Sequence, residues 1–279
     1  MTAPGVRPLT ASDLPAMWSL LRRDPVRHCF VDSRVRIAGA DPWRLGGELW
    51  GYFVDDVLES AVYLGANLIP VETTPAARAA FAARLRLMPR RCSSLVGPSE
   101  EILDLWRQLE PAWGTARDVR PRQPLLVMDG PSDIDADERV CVTVIEELDT
   151  LLPACVAMFT EEVGISPTAN GAGSAYRARV AELVAGGRSL AWIDDGVVKF
   201  KAEIGIVTDD VSQVQGVYVD PAYRGRGLAA PAMAAVVRHC LDAFAPVVSL
   251  YVNDYNTAAR KAYARVGFQE VGTFATVLC

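Results

Sequence analysis

Apolar and polar positions alternate most regularly in the second half of the chain. Helical spacing of apolar residues predicts helices over Leu148–Val163, Ala175–Ala185, Leu228–Phe244 and Thr257–Val266. Alternating or continuous apolar runs predict strands over Val140–Ile145, Ser189–Ile193, Val197–Val207, Val214–Val219, Val247–Val252 and Phe274–Leu278. The order of these segments predicts an α/β (α+β) fold, with a mixed, mostly antiparallel central sheet flanked by helices.

The first half of the chain shows a similar but weaker pattern. Helices are predicted over Ala11–Arg23, Pro75–Leu87 and Pro98–Leu109. Strands are predicted over Val6–Leu9, Leu49–Val54, Ser60–Pro70, Ser94–Val96 and Leu125–Met128. The order of strands and helices therefore resembles that of the second half.

A polar connector separates the halves. The stretch Asp129–Glu138 contains five acidic residues together with Gly, Pro and Ser, and Ile134 is its single large apolar residue. Such a segment buries little surface and is expected to lie outside a core. We therefore predict an N-terminal α/β domain over residues 1–130, a linker over 131–138 and a second domain over 139–279.

Composition narrows the classes of function. The 279 residues carry a net charge of −6, whereas phosphate-backbone binding requires clustered Lys and Arg, so no nucleic-acid partner is predicted. The six cysteines form no CxxC pair and no Cys/His cluster with metal-ligand spacing, so no metal site is predicted and a reducing compartment is favoured.

Neither a targeting segment nor a membrane segment is visible in the sequence. The N-terminus lacks the basic and apolar regions of a signal peptide. The longest apolar stretch, Leu228–Val237, is too short to span a bilayer and contains a proline. These features predict a cytoplasmic protein without a membrane partner.

A glycine-containing turn joins the predicted strand Val214–Val219 to the following helix. Arg224-Gly225-Arg226-Gly227 lies in this turn, and glycines there allow the backbone to approach a ligand closely. The first amides of a helix lack intrahelical acceptors and suit a diphosphate, so the amides from Arg226 to Ala230 are candidate donors, with Arg224 and Arg226 adding charge. A solvated tight turn is the alternative interpretation.

The residues of this turn resemble a known family. Arg224 to Ala229, Arg-Gly-Arg-Gly-Leu-Ala, is similar to the Arg/Gln-x-x-Gly-x-Gly/Ala loop of the GCN5-related N-acetyltransferases (GNAT). The run Leu250–Phe268 resembles a second segment of that family, in which Asn256 matches a residue that bonds the pantetheine or phosphate arm of coenzyme A. The resemblance covers about half of the chain and implies a GNAT fold there.

The resemblance also implies a cofactor and a reaction. Acetyl-CoA is the implied acyl donor, held by Val217, Tyr218 and Val219 along the strand and by Arg224, Gly225, Arg226, Gly227, Leu228, Ala229, Ala230 and Asn256. Tyr263 matches the general acid that protonates the departing thiolate. The alternative for Tyr263 is an aromatic core residue.

The proton acceptor and the amine-binding residues are less clearly marked. Glu203 lies on the strand next to the cofactor strand, where several family members carry a carboxylate; the alternative is a carboxylate that faces solvent or pairs with Lys199 or Lys201. Glu161 and Glu162 precede the loop Gly164–Ser174, which usually lines the acceptor site, and are predicted to bind the amine or to relay its proton through water. Many family members use no direct base.

The first half is either a degenerate second GNAT-like domain or an unrelated α/β domain. It lacks the phosphate loop, because the corresponding region Ile69–Ala80 contains no glycine. The layout is similar to that of actinobacterial two-domain acetyltransferases of unassigned substrate, and the sequence leaves open whether the protein forms a homodimer.

Three functions are compatible with these motifs. The first is acetyl transfer from acetyl-CoA to a primary amine of a small molecule or peptide. The second is acyl-CoA binding without turnover in a regulatory protein. The third is aminoacyl or long-chain acyl transfer, as in tandem-domain relatives.

Overall fold

The computed structural model describes residues 4–279, which form two compact units. Unit 1 comprises the described residues up to Leu125, together with Tyr251–Tyr255 and Glu270–Cys279. Unit 2 comprises Leu126–Leu250 and Asn256–Gln269. Unit 1 therefore includes residues from the far end of the sequence.

Unit 1 contains helices and strands from both ends of the chain. Its elements are β1 (Gly5–Pro8), α1 (Leu14–Leu21), α2 (Pro25–Ala38), α3 (Pro42–Leu45), β2 (Glu48–Val54), β3 (Val57–Leu64), β4 (Asn67–Val71), α4 (Pro75–Leu85), β5 (Ser94–Pro98), α5 (Ser99–Trp113), most of β6 (Asp118–Met128) and, after unit 2 in the sequence, β12 (Gln269–Leu278).

The strand order in unit 1 is β1-β2-β3-β4-β5-β12-β6. Neighbouring strands from β1 to β4 are antiparallel, β4 and β5 are parallel, and β12 is antiparallel to β5. Two groups of buried side chains form the core. One contains Phe81, Leu95, Ile102 and Val277, and the other contains Met17, Val31 and Val71.

Unit 2 is built from the middle of the chain. Its elements are β7 (Cys141–Val142), α6 (Leu148–Val163), α7 (Gly173–Ala185), β8 (Ser189–Asp194), β9 (Val197–Val207), β10 (Val211–Val219), α8 (Ala229–Ala243), β11 (Val247–Tyr251) and α9 (Thr257–Val266).

The strand order in unit 2 is β7-β8-β9-β10-β11. Pairs from β7 to β10 are antiparallel, whereas β10 and β11 are parallel. Asp195 and Gly196 both have positive φ, 49° and 74°, as the predicted tight turn between β8 and β9 requires. Side chains of α6, α7 and the strands form the core on one face.

The two halves share one order of elements. If α3 is set aside, each half runs strand, two helices, three strands, helix, strand, helix, strand. In each half the fourth and fifth strands are the parallel pair. The predicted fold class, a mixed and mostly antiparallel sheet flanked by helices, is confirmed.

Several predicted boundaries were wrong. Ser60–Pro70 is two antiparallel strands, because the chain reverses between Leu64 and Asn67. The strand predicted over Val140–Ile145 is limited to Cys141–Val142, since a 3₁₀ turn begins at Ile145. Helix α2 was not predicted at all, although Asp24 caps its first turn.

Candidate active site

The parallel strands of unit 2 pair over part of their length. Val211–Gln213 pair with Val247–Ser249, and β10 then continues to Val219. Within the described chain, the pairing of β10 with β11 does not extend over Val214–Val219. This stretch, which includes the predicted pantetheine-binding residues Val217, Tyr218 and Val219, therefore offers backbone groups to an extended ligand.

Strand β10 is irregular along the same stretch. Its register with β9 shifts between Gln213 and Val214 and again between Gln215 and Tyr218. Gly216 has φ +56°, and a Cβ there would lie 2.9 Å from Met158 Cε and 3.3 Å from Glu203 Oε2. The positive φ of the bulge therefore favours glycine, and a Cβ there would require the flexible end of Met158 to shift.

The predicted phosphate loop leaves β10 through a short 3₁₀ turn. Asp220 stabilises this turn by accepting a hydrogen bond from the Ala222 amide at 2.8 Å. Gly225 and Gly227 then adopt φ +74° and +75°, and a Cβ on either would meet no atom within 4 Å. There is therefore open space beside the α-carbons of both glycines.

Helix α8 begins at Ala229 without a side-chain cap. The preceding residue, Leu228, makes no capping hydrogen bond, and Ala230 and Pro231 complete the first turn. Pro231 lacks an amide hydrogen, so the donors of this turn are the amides of Leu228, Ala229 and Ala230. Together with the glycine-lined approach, they form a site suited to an anion.

Arg224 is bound by other groups of unit 2. Its Nε donates to the Val219 carbonyl at 2.9 Å, and its two terminal nitrogens donate to Glu161 at 3.0 and 2.7 Å. Glu161, through this hydrogen bond, raises the pKa of Arg224 above its ordinary value. We call this pair the Arg224–Glu161 bridge; it joins the end of β10 to the last turn of α6.

Arg226 contrasts with Arg224. Its guanidinium lies 5.2 Å from the centre of the Tyr223 ring, and the side chain is exposed at the loop. Such stacking leaves the N–H groups at the edge of the guanidinium able to donate to an anion. Of the two predicted arginines, Arg226 is therefore the one whose geometry suits a diphosphate.

The second motif, Leu250–Phe268, includes α9, with Asn256 at the start of this helix and Tyr263 within it. Asn256 is the N-cap of this helix and accepts a hydrogen bond from the Ala259 amide at 3.1 Å. Tyr263 is 6% exposed and packs edge-on against Phe268, with ring centres 5.9 Å apart. Burial, and to a smaller extent the charge of Glu162, raise the pKa of Tyr263 above its ordinary value.

Glu203 forms an ion pair with Lys201, which lies two residues away on the same face of β9. The Lys201 ammonium is fully buried and donates to Glu203 Oε1, while the other carboxylate oxygen faces Gly216. Nearby, the Tyr176 hydroxyl donates to the Cys155 carbonyl at 3.0 Å. The predicted base is therefore held beside the β10 bulge by a buried cation.

One face of α6 connects these groups. Met158, Glu161 and Glu162 have i, i+3 and i+4 spacing and so project from the same side of the helix. Met158 meets the bulge at Gly216, Glu161 binds Arg224, and Glu162 acts electrostatically on Tyr263. This face brings Met158 to the bulge and the predicted acceptor residue Glu161 to the loop.

In unit 1 the corresponding helix start is occupied by the protein itself. Thr74 caps α4 by accepting from the Ala77 amide, and the Glu101 carboxylate accepts from the amide and the hydroxyl of Thr73. The buried Arg78 adds an ion pair with Asp104 at 2.6 Å. A carboxylate already lies next to this turn, so the predicted lack of a phosphate site in the first half has a structural basis.

Two protein-family models match the sequence, one in each half. The model described as Acetyltransferase (GNAT) family matches residues 165–268. This range includes the bulge, the loop, α8 and α9. The C-terminal half therefore contains a GNAT acetyltransferase domain. The other model, a domain of unknown function (DUF4081), matches residues 47–151.

Solved structures resemble nearly the whole chain. A Drosophila protein has a TM-score of 0.68 at 12% identity, with 98% of each chain covered. A GCN5-related N-acetyltransferase from Sphaerobacter thermophilus has a TM-score of 0.61 at 16% identity, with 98% of this chain and 94% of that chain covered. At these identities the similarity concerns the fold.

One of the similar structures is a tandem GNAT protein from the clavulanic acid biosynthesis pathway. Its TM-score is 0.53 at 14% identity, and 98% of each chain is covered. Together with the shared order of elements, this coverage shows that the first half also has a GNAT-like fold. No curated protein matches the sequence, and none of the described helices is both long enough and apolar enough to cross a bilayer.

The sequence interpretation missed two residues that shape the GNAT site. Met158 carries no chemical signature, since an isolated methionine on a helix is ordinarily part of a core. Gly216 did carry a signal, because a single glycine inside a strand pattern indicates a bulge or a close backbone approach. The position of Met158 over that glycine required the structure.

Removing the Arg224–Glu161 bridge is expected to weaken acyl-CoA binding by about threefold, since an exposed ion pair contributes up to about 1 kcal/mol. Arg224→Gln and Glu161→Gln should have similar effects, because each releases the loop from α6. Isothermal titration calorimetry measures the effect. Arg238→Gln is the control: Arg238 makes an exposed two-bond contact with Glu138 elsewhere in unit 2. A loss with Arg224→Gln but none with Glu161→Gln would instead assign Arg224 direct contact with the diphosphate.

Gly216→Ala is expected to destabilise unit 2 by about 1–3 kcal/mol, because it combines a positive φ with contact between the new methyl group and Met158. Urea denaturation measures this change. Gly187→Ala is the control, since Gly187 has φ +65° and open space around its α-carbon. A similar loss in both variants would mean that backbone strain, and not the contact, dominates.

Proposed function

We propose that the protein is an N-acetyltransferase that transfers the acetyl group of acetyl-CoA directly to a primary amine of a small molecule or peptide. One observation carries the proposal: the stretch of β10 that is not paired with β11 ends at a glycine loop and an uncapped helix start. An extended acyl thioester whose arm leads to a diphosphate matches this arrangement: the strand offers backbone groups to the arm, and the helix start offers amides to the diphosphate.

The residues present suit coenzyme A. The amides of Leu228, Ala229 and Ala230 and the exposed Arg226 face the position for the diphosphate, next to the open α-carbons of Gly225 and Gly227. Val217, Tyr218 and Val219 provide backbone groups for the pantetheine amides, and Asn256 has an amide nitrogen left for the arm while its oxygen caps α9. In this proposal Arg224 holds the loop in place through Glu161.

The bound thioester supplies an activated acetyl carbonyl. The amine must reach it in the neutral form, and a carbon–nitrogen bond forms as the carbon–sulfur bond breaks. Glu203, at the bulge, takes up the proton of the amine, directly or through water. Glu162, the carboxylate whose charge acts on Tyr263, attracts the ammonium form of the amine before it loses this proton.

Tyr263 holds the proton that the departing sulfur acquires. Its raised pKa keeps the phenol protonated throughout the physiological range, so the acid is present whenever the thioester is bound. Burial against Phe268 restricts the ring to one orientation. An acid that is both fixed and protonated lowers the barrier to carbon–sulfur cleavage.

The experiment combines binding with turnover. Calorimetry with acetyl-CoA and with desulfo-CoA tests the cofactor site, and release of free thiol is then followed with a panel of primary amines, polyamines and peptides with free N-termini or lysines. Thiol release that depends on an amine supports the proposal. Tight acetyl-CoA binding without thiol release on any acceptor would favour a regulatory binding protein, and absence of binding would refute the cofactor assignment.

A further inference from the structure

Met158 lies against the β10 bulge of the site described above. Its Cε approaches the α-carbon of Gly216 so closely that a Cβ there would be 2.9 Å away, and the Glu203 carboxylate lies on the same side at 3.3 Å. Met158 is partly buried and packs against the core formed by α6, α7 and the strands. A thioether and a carboxylate therefore flank the bulge together.

The direction of an extended ligand along β10 is determined by the two ends of the site. The uncapped start of α8 follows the carboxyl end of β10, so a diphosphate there places the pantetheine arm alongside Val219 and then Val217. The far end of the arm points towards Gln213, because β11 pairs with β10 over Val211–Gln213 and leaves no space for a ligand between the two strands there. The acyl group consequently lies beside Gly216, next to Met158.

We propose that Met158 determines acyl-chain specificity and restricts the donor to short acyl groups, with acetyl preferred. This inference rests on the proposed function. A longer chain would have to displace the thioether from its packing against the core, because Met158 already occupies the space above Gly216. An acyl chain extended in the other direction would reach the Glu203 carboxylate, and its apolar carbons would remove water from that charged group.

Binding of three donors to the same protein tests this proposal without any acceptor. Acetyl-CoA, butyryl-CoA and hexanoyl-CoA are titrated into wild type and Met158→Ala by calorimetry. Wild type should bind acetyl-CoA more tightly than butyryl-CoA and hexanoyl-CoA. Met158→Ala should shift the ratio of butyryl-CoA to acetyl-CoA affinity by about 10-fold towards butyryl-CoA, the effect of burying about two methylene groups.

Two variants serve as controls. Met158→Leu keeps most of the side-chain volume and should retain the wild-type ratio. Met88→Ala removes a partly buried methionine from unit 1 and should also leave the ratio unchanged. These variants distinguish the effect of removing side-chain volume at position 158 from the general effect of losing a methionine.

Specific outcomes would overturn the proposal. Equal binding of hexanoyl-CoA and acetyl-CoA by wild type would do so even if Met158→Ala failed to fold. An unchanged ratio in a folded Met158→Ala that still binds acetyl-CoA would also do so, while leaving the cofactor site intact. Wild type that binds none of the three donors would overturn the proposed function itself.

Discussion

Replacing Gly227 with glutamate is expected to weaken acetyl-CoA binding at least about 100-fold, which corresponds to about 2.7 kcal/mol. Gly227 has φ +75° and precedes the uncapped start of α8, so a side chain there enters the space proposed for the diphosphate. The glutamate would also bring a negative charge to helix amides that attract anions. Calorimetric titration measures the change in Kd.

A matched control separates the effect of position 227 from the effect of the glutamate itself. Gly196 has φ +74° and lies in the β8–β9 turn of the same unit, and a Cβ there would meet no atom within 4 Å. Gly196→Glu therefore adds the same charge and a similar backbone strain away from the loop. It should bind acetyl-CoA like wild type, and undiminished binding by folded Gly227→Glu would refute the diphosphate site.

Removing the hydroxyl of Tyr263 is expected to lower kcat by about 100-fold, the lower end of the range for a general acid. Tyr263→Phe keeps the ring that packs against Phe268, so the Kd for acetyl-CoA and the thermal midpoint should change little. Thiol release with the best amine of the panel measures kcat. Tyr52→Phe, a buried tyrosine of unit 1, is the control and should retain wild-type activity.

The pH profile provides an independent readout for Tyr263. Because burial raises its pKa, the acid form is retained below the raised value and lost above it. Deprotonation of this phenol should therefore cause no fall in kcat up to about pH 10, the ordinary pKa of a tyrosine. Full activity in Tyr263→Phe, with unchanged acetyl-CoA binding, would show that the sulfur obtains its proton elsewhere.

The fold of the second half could be predicted because local signals agreed. Helix α6 has the predicted bounds Leu148–Val163, and α9 has the predicted bounds Thr257–Val266. Glycines follow both helices, and the Asp195-Gly196 turn separates β8 from β9. Periodicity, capping and turn chemistry therefore indicated the same elements.

Helix α2 of the first half was harder to predict because polar residues are buried in it. Helix α2 carries His28 and Asp32 on its buried side, so its pattern lacks a continuous apolar face. Asp24 and Pro25 nevertheless form a typical helix start, which the apolar pattern alone does not reveal. One nitrogen of His28 finds a partner distant in sequence, since Nε2 lies 3.0 Å from Glu72 Oε1, whereas Nδ1 is buried without a hydrogen-bond partner.

The candidate site was predictable where a motif lies on consecutive residues. The loop from Arg224 to Ala230 was predicted from its glycines and from the following helix. The contacts of Glu161 with Arg224, and of Met158 with Gly216, join residues about 60 positions apart in sequence. No local pattern reports such pairs, so the roles of these residues stay predictions that the variants above will test.

The position of β12 has a consequence for biosynthesis. Ala275 and Val277 are fully buried in the core of unit 1, where β12 pairs with β5. The ribosome makes these residues after it has made all of unit 2, so the core of unit 1 cannot be completed until unit 2 has been synthesised. Until then β5 presents an open strand edge, the kind of surface that chaperones cover and that promotes aggregation.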